Sequence, residues 1–172
     1  MTPATSTAGP VQVAVCGPGE CTERERGHAR ETGRLLARHG AVVICGGHGG
    51  VMAAAAAGAR AVGGIAVGVL PGTGRGGAAP DLTVALPTGL GQARNNVIVN
   101  AADAVIVIGG SWGTLSELAL AMRRGTVPVV QIGGWRVRDG RGRPAGGIVY
   151  AAGAAEAVAA TGLFGPPPLP GP

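Results

Sequence analysis

Two glycine-rich segments of this chain, each following a run of branched apolar residues, have the composition of phosphate-binding loops. Segment 46–50 reads Gly-Gly-His-Gly-Gly, and segment 109–117 reads Gly-Gly-Ser-Trp-Gly-Thr-Leu-Ser-Glu. Glycine lets the backbone approach an anion closely, and the N-terminus of a following helix offers free N–H groups and the positive end of its dipole. Both segments therefore predict a phosphate cradle. The alternative for segment 46–50 is tight packing of strand against helix, which also requires glycine.

Individual polar and aromatic residues near these loops are candidates for ligand binding. Arg94 begins a predicted helix, where its charge opposes the dipole, so pairing with a ligand or an acid explains it better than a surface role. Asn95 can hydrogen-bond a ligand or cap the helix, and Trp112 can stack on a base or pterin ring or cover its own loop. Glu117 lies three residues after Thr114, the spacing of a capping box, which would make it purely structural.

Several common cofactor sites are not predicted. Gly17 and Gly19 follow the first apolar run, but the third glycine of the NAD fingerprint is missing and no acid ends the second run. No Gly-Lys-Ser or Gly-Lys-Thr sequence is present, which excludes a Walker-type phosphate loop. Cys45 and His48 lack a second close pair of ligands, so we expect no metal and no required cofactor.

The segments that position these loops alternate between apolar runs and helical patterns. Strands are predicted at 11–16, 42–45, 65–70, 82–86, 104–108 and 127–132, and helices at 22–39, 51–62, 90–102, 115–124 and 148–160. Such alternation is typical of a parallel sheet covered on both faces. We predict an α/β, Rossmann-like, doubly wound, mainly parallel sheet of about six or seven strands with helices on both faces. Ligands of such sheets bind beyond the carboxyl ends of the strands.

Length and composition predict one domain. The 172 residues divide into a leader at 1–10 that we expect to be disordered, a single nucleotide-binding domain at 11–163 and a Pro-rich tail at 164–172. Three cysteines and no signal peptide predict a reducing compartment, the cytoplasm. No apolar run reaches the length of a membrane span, so we expect no membrane partner.

The positive charge of the chain is concentrated late in the sequence. Segment 123–143 carries six arginines and one aspartate, which accounts for the whole net charge of +5. Such a cluster can bind nucleic acid, but a solvated loop is the more frequent explanation, so a nucleic-acid partner is not expected.

These motifs together resemble the nucleotide-binding SLOG superfamily, which includes the cytokinin-activating LOG enzymes and the molybdenum cofactor carrier proteins. The resemblance covers about residues 11–132 and is greatest to the carrier-like branch. It depends on segments 46–52, 70–72, 87–91, 94–95, 102–105 and 109–117. LOG enzymes carry the motif PGGxGTxxE, which Gly110, Gly113, Thr114 and Glu117 match. Gly109 and Ser111 depart from it.

The resemblance implies roles for individual residues. Arg94 and Glu117 stand where LOG enzymes have the arginine and glutamate that cleave the N-glycosidic bond of a nucleoside monophosphate. The chain departs from that pattern at Asn95, where those enzymes have lysine, and at Ala53, where many relatives have glutamate. The ligand-binding residues expected from motif and resemblance together are Gly17, Gly46, Gly47, Gly49, Gly50, Met52, Arg94, Asn95, Gly110, Ser111, Trp112, Gly113 and Thr114.

Three functions are thus predicted, in order of preference. The first is a binding or carrier protein for a phosphorylated, nucleotide-like small molecule, either a nucleoside monophosphate or a molybdopterin-type cofactor. The second is a LOG-type phosphoribohydrolase that uses Arg94 and Glu117 as catalytic residues. The third is a nucleic-acid-binding module that uses segment 123–143. The resemblance also implies a homo-oligomer, a dimer or a tetramer.

Overall fold

The computed structural model describes residues 9–165. Residues 1–8 and 166–172 lie outside the described part of the chain. Most of the predicted leader and most of the Pro-rich tail therefore fall there, and the domain boundaries given above stay predictions.

Seven strands form one sheet in which every neighbouring pair is parallel. The strands are β1 (Gln12–Cys16), β2 (Val42–Cys45), β3 (Ala66–Leu70), β4 (Val84–Pro87), β5 (Ala104–Ile108), β6 (Val129–Ile132) and β7 (Ile148–Ala151). Their order is β4-β3-β2-β1-β5-β6-β7. The order reverses between β1 and β5, which makes this pair the topological switch point of a doubly wound sheet. The predicted fold class is confirmed.

Within residues 9–165, five helices cover the two faces of the sheet. They are α1 (Glu23–Arg38), α2 (Gly50–Arg60), α3 (Arg94–Ala101), α4 (Trp112–Arg124) and α5 (Ala154–Ala160), and a 3-10 turn (Gly91–Ala93) leads into α3. Residues of α1, α2 and α5 pack with one set of strand residues, and α3 and α4 pack with the other set. Between residues 9 and 165, no helix is long and apolar enough to cross a membrane.

Helices α1 and α2 cross in unusually close contact. A Cβ atom added to Gly33 of α1 would lie 2.0 Å from the carbonyl oxygen of Ala55. A Cβ atom added to Gly58 of α2 would lie 1.9 Å from the carbonyl oxygen of Arg30. The two helices therefore touch backbone to backbone at both positions, which only glycine permits.

Several predicted elements have other bounds in the structure; the helix predicted at 90–102, for example, begins as a 3-10 turn at Gly91–Ala93 and continues as α3. The final helix, predicted at 148–160, is wrong in its first part, because Ile148–Ala151 forms strand β7 and pairs with β6. The sequence Ile-Val-Tyr has high strand propensity, and pairing along the sheet decides the outcome. The predicted helix at 115–124 starts three residues earlier, at Trp112, because Ser111 is its N-cap.

Candidate functional site

A pocket of about 180 Å³ lies at the switch point between β1 and β5. Its walls come from the loop after β1, the first turns of α2 and α4, and the entry into α3. The lining residues are Gly17, Pro18, Gly19, Met52, Gln92, Arg94, Asn95, Ser111, Gly113, Thr114 and Glu117. The pocket thus brings together eight residues predicted from the sequence, including the candidate pair Arg94 and Glu117.

Arg94 forms one wall of the pocket and is only 9% exposed. Its Nη1 donates hydrogen bonds of 2.5 Å to the carbonyl oxygens of Gly46 and Val69, at the ends of β2 and β3. Its Nε is buried and has no hydrogen-bond partner within the described chain. A buried donor left unpaired is costly, so this nitrogen marks Arg94 as a candidate for a functional role.

Glu117 lies in the second turn of α4 and is 6% exposed. Burial raises the pKa of its carboxyl to about 7, while the nearby charge of Arg94 and a hydrogen bond with the Cys16 thiol oppose this rise. Near neutral pH the group exists in both its neutral and its charged form. Such a perturbed carboxyl inside a pocket is a feature of functional sites.

The start of α4 opens onto the pocket through Ser111 and Gly113. The Ser111 Oγ accepts a 3.2 Å hydrogen bond from the backbone N–H of Thr114 and lies 2.9 Å from the Thr114 hydroxyl. The capping box predicted for Thr114 and Glu117 is therefore wrong, since Ser111 caps the helix and Glu117 lies beyond its first turn. Glu117 is left without a capping role.

Gly46 and Gly47 of segment 46–50 are packed inside the protein, whereas Gly49 is exposed. A Cβ atom on Gly46 would meet Met52 and Arg94, and one on Gly47 would meet Leu70. The carbonyl oxygens of Gly46 and Gly47 accept hydrogen bonds from Arg94 and from the N–H of Ala79. Gly46, Gly47, Gly49 and Gly50 do not line the pocket, and their role in ligand binding stays a prediction.

Two other predicted residues, Gly110 and Trp112, do not line the pocket but adjoin lining residues in the chain. Gly110 packs against the indole of Trp135, which lies 2.8 Å from the position a Cβ atom would take. Trp112 is 79% exposed and meets Trp135 edge to face, with ring centroids 4.9 Å apart. Trp135 was not predicted, although it follows the carboxyl end of β6 and the position rule for doubly wound sheets points to that loop.

The residues that sequence reasoning missed are Pro18, Gly19 and Gln92 in the pocket wall and Cys16 beneath it. Gln92 belongs to the 3-10 turn, which the sequence pattern merged into the next helix. Cys16 ends β1 and lies close enough to Glu117 to affect the pKa of its carboxyl. Within the range 9–165, no three His, Cys, Asp or Glu side chains come together as a metal ion would require.

The three cysteines differ in accessibility, which gives a first test of this arrangement. Cys16 and Cys45 are buried, and burial raises the pKa of both thiols, that of Cys45 to about 11. Cys21 is partly exposed. We expect iodoacetamide at pH 8 to modify Cys21 in the native protein and all three cysteines only after unfolding. Rapid native modification of Cys16, detected by peptide mass spectrometry, would contradict the described floor of the pocket.

Most arginine side chains of the basic segment 123–143 contact other groups of the protein. Arg124 donates to the carbonyl oxygens of Val99 and Ala102, and Arg143 pairs with Asp139 at 2.7 Å. Arg136 lies over the ring of Tyr150, 3.7 Å from its centroid, and Arg138 donates to the carbonyl of Gly142. Four of the six arginines thus have intramolecular partners, as a structural loop would require.

Comparisons with known proteins agree with this architecture. A sequence profile of the SLOG cluster4 family matches residues 10–158. An uncharacterized protein of Archaeoglobus fulgidus is 41% identical over 137 residues, which are 74% of this chain and 87% of that protein. The molybdenum cofactor binding protein of Rippkaea orientalis is similar in structure, with a TM-score of 0.79 and 30% identity over 89% of this chain and 96% of that one. The molybdenum cofactor carrier protein of Chlamydomonas reinhardtii gives a TM-score of 0.77 and 32% identity over 88% and 96%.

Proposed function

Because the chain belongs to the SLOG cluster4 family, we propose that it is a carrier or binding protein for a phosphorylated heterocycle held beside helix α4. The ligand class is a nucleoside monophosphate or a molybdopterin-type cofactor. The similar structures from Rippkaea orientalis and Chlamydomonas reinhardtii are a molybdenum cofactor binding protein and a molybdenum cofactor carrier protein. Those names support the choice of a carrier over an enzyme.

The observation that carries the proposal is the open N-terminus of α4 beside a buried arginine. The side chain of Ser111, the N-cap of α4, accepts a hydrogen bond from the backbone N–H of Thr114. The N–H groups of Trp112 and Gly113 have no acceptor inside the helix, so they can bind a phosphate together with the positive dipole end. Arg94, whose Nε is buried and unpartnered within the described chain, lines the same pocket. These groups fit the phosphate of either ligand class.

The other long helices that begin at this edge are less suited to an anion. Helix α1 is closed by a capping box between Thr22 and Glu25 and carries Glu23 in its first turn, so its N-terminus repels phosphate. At α2, the N–H of Val51 already donates to the carbonyl of Pro18, and a Cβ atom on Gly50 would lie 2.3 Å from that same oxygen. Helix α4 is therefore the preferred anion site.

The geometry supports binding better than hydrolysis. Arg94 directs its Nη1 to two backbone carbonyls, which fixes it as part of the wall. The carboxyl of Glu117 is buried and carries a proton for much of the time near pH 7, so it is poorly suited to stabilise an oxocarbenium centre. Release of free base from a nucleoside monophosphate, lost in Glu117→Gln, would replace the carrier proposal with a phosphoribohydrolase.

A charge placed at Ser111 tests the anion site directly. Aspartate also serves as an N-cap, so Ser111→Asp should leave the unfolding temperature of the free protein close to that of wild type. Its carboxylate faces the proposed phosphate, so we expect the affinity for GMP to fall at least about tenfold. Isothermal titration calorimetry and thermal shift measure the two effects separately.

Thr22→Asp is the matched control, because it puts the same charge on the N-cap of α1, outside the pocket. It should bind GMP as wild type does. Equal GMP affinity in the Ser111→Asp and wild-type proteins would refute the anion site at α4. Failure of wild type to bind GMP or AMP would remove the nucleotide version of the proposal.

A homo-oligomer remains part of the proposal. Val84 and Leu86 of β4 are exposed on the face of the sheet that α3 covers only in part. Apolar side chains grouped in this way are common at contacts between subunits. Light scattering of the purified protein measures the assembly directly.

A further inference from the structure

Aromatic residues are rare in this chain, and its two tryptophans contact each other. The sequence contains two tryptophans, one tyrosine and one phenylalanine. Trp112 and Trp135 meet near the start of α4, and Arg136, the neighbour of Trp135 in the chain, covers the ring of Tyr150. The buried core consists mainly of valine, isoleucine and alanine. Core packing therefore does not explain this aromatic corner.

Trp135 contacts both Gln131 and Gly110. The side-chain Nε2 of Gln131 donates a 2.8 Å hydrogen bond to the backbone oxygen of Trp135. The indole ring lies against Gly110, where a side chain would collide with it. Trp135 in turn meets Trp112 at an interplanar angle of 83°. The exposed ring of Trp112 thus lies against a second indole, that of Trp135, which is itself 41% exposed.

The position of Trp112 relates it to the pocket. Its two neighbours in the chain, Ser111 and Gly113, line the pocket. The pocket volume of about 180 Å³ is below the roughly 300 Å³ at which pockets for whole drug-sized ligands begin. A nucleotide whose phosphate sits on α4 would leave its ring outside the pocket, near the rim where Trp112 is exposed.

We propose that Trp112, braced edge to face by Trp135, is the stacking surface for the flat heteroaromatic ring of the ligand. The site therefore selects phosphorylated aromatic heterocycles over simple sugar phosphates. This inference rests on the proposed function, because it takes the phosphate at α4 as given. Stacking on an aromatic side chain recognises a π-face and tolerates different bases, which suits purine and pterin rings alike.

The experiment compares GMP with ribose 5-phosphate, which carries the same sugar and phosphate without a ring. Trp112 and Trp135 are the only tryptophans in the sequence, so the tryptophan fluorescence reports on this corner alone. We expect GMP to quench the fluorescence and to bind more tightly than ribose 5-phosphate. Trp112→Ala should weaken GMP binding about tenfold and change the affinity for ribose 5-phosphate less than about twofold.

Two further variants keep the test specific. Trp112→Phe retains a ring and should recover most of the GMP affinity. Val149→Ala removes an exposed apolar side chain from the outer strand β7 and should leave both affinities unchanged. Because the Trp112 side chain is 79% exposed, its removal should not unfold the protein, which circular dichroism checks.

The outcomes separate this inference from the proposed function. If wild type binds both ligands equally and Trp112→Ala binds GMP as well as wild type does, the proposed stacking on Trp112 is refuted. The proposed phosphate site at α4 is then unaffected. If Trp112→Ala changes the oligomer mass and leaves GMP affinity intact, Trp112 belongs to a subunit interface and the inference is also overturned. If wild type binds neither ligand, the inference falls together with the nucleotide version of the proposed function.

Discussion

Replacement of Gly33 by alanine is expected to destabilise the folded protein by about 3 kcal/mol or more, at the upper end of the cost of overpacking. The added methyl group would lie 2.0 Å from the carbonyl oxygen of Ala55, an atom of the α2 backbone that no side-chain rotation can move. Helices α1 and α2 would have to separate, which opens the apolar contacts between them. Urea unfolding followed by circular dichroism measures the change.

The same helix supplies the control. Gly27 also lies in α1, but no atom comes within 4 Å of the position a Cβ atom would take there. Gly27→Ala should therefore stabilise the protein by up to about 1 kcal/mol, because alanine favours a helix over glycine. Equal unfolding midpoints for Gly33→Ala and Gly27→Ala would show that the close crossing of α1 and α2 is not as described.

Glu117→Gln is expected to make the free protein more stable at pH 8 and to leave its stability unchanged near pH 4.5. Burial raises the pKa of Glu117 from 4.5 to about 7, so between these values the folded protein holds a proton that the unfolded chain has released. The free energy of unfolding then falls as the pH rises through this window, by at most about 3 kcal/mol. Glutamine carries no charge, so the free energy of unfolding of the Glu117→Gln protein does not fall in this pH window.

Chemical denaturation at pH 4.5 and at pH 8 measures the difference between Glu117→Gln and wild type. Glu20→Gln, which changes an exposed carboxylate, controls for the loss of one negative charge and should not reproduce the effect. A Glu117→Gln protein that is less stable than wild type at pH 8 would show that the carboxylate is well compensated by Arg94. A buried acid that costs stability in the free protein is understandable if it contributes to ligand binding.

The strands near the switch point could be predicted from sequence because their signals are local and unambiguous. Val42–Cys45 and Ala104–Ile108 are short branched apolar runs between glycines or helix ends, and both are found as predicted. Strand β7 was missed because Ile148–Ala151 runs on into the alanine-rich residues of α5. Only its pairing with β6 distinguishes it from a helix, and such pairing is not visible in a single segment.

The site was predictable in its residues but less so in its geometry. The motifs identified Arg94, Glu117 and Ser111, and the structure places all three in one pocket. The contacts of segment 46–50 could not be predicted, because glycine is needed both for close packing and for an anion cradle. Cys16 and Glu117, which affect each other's pKa, are 101 positions apart in the chain, so no local pattern could indicate that they lie close together.

The parallel sheet has a practical consequence for handling the protein. All seven strands end at the same edge, so the turns that lead from helices back into strands lie at the opposite end, away from the pocket. Gly125, which ends α4 in the left-handed conformation, and the exposed Thr126 belong to such a turn. An affinity tag or surface tether inserted there should leave the pocket facing the solution. The molecule is thus suited to immobilisation through this turn.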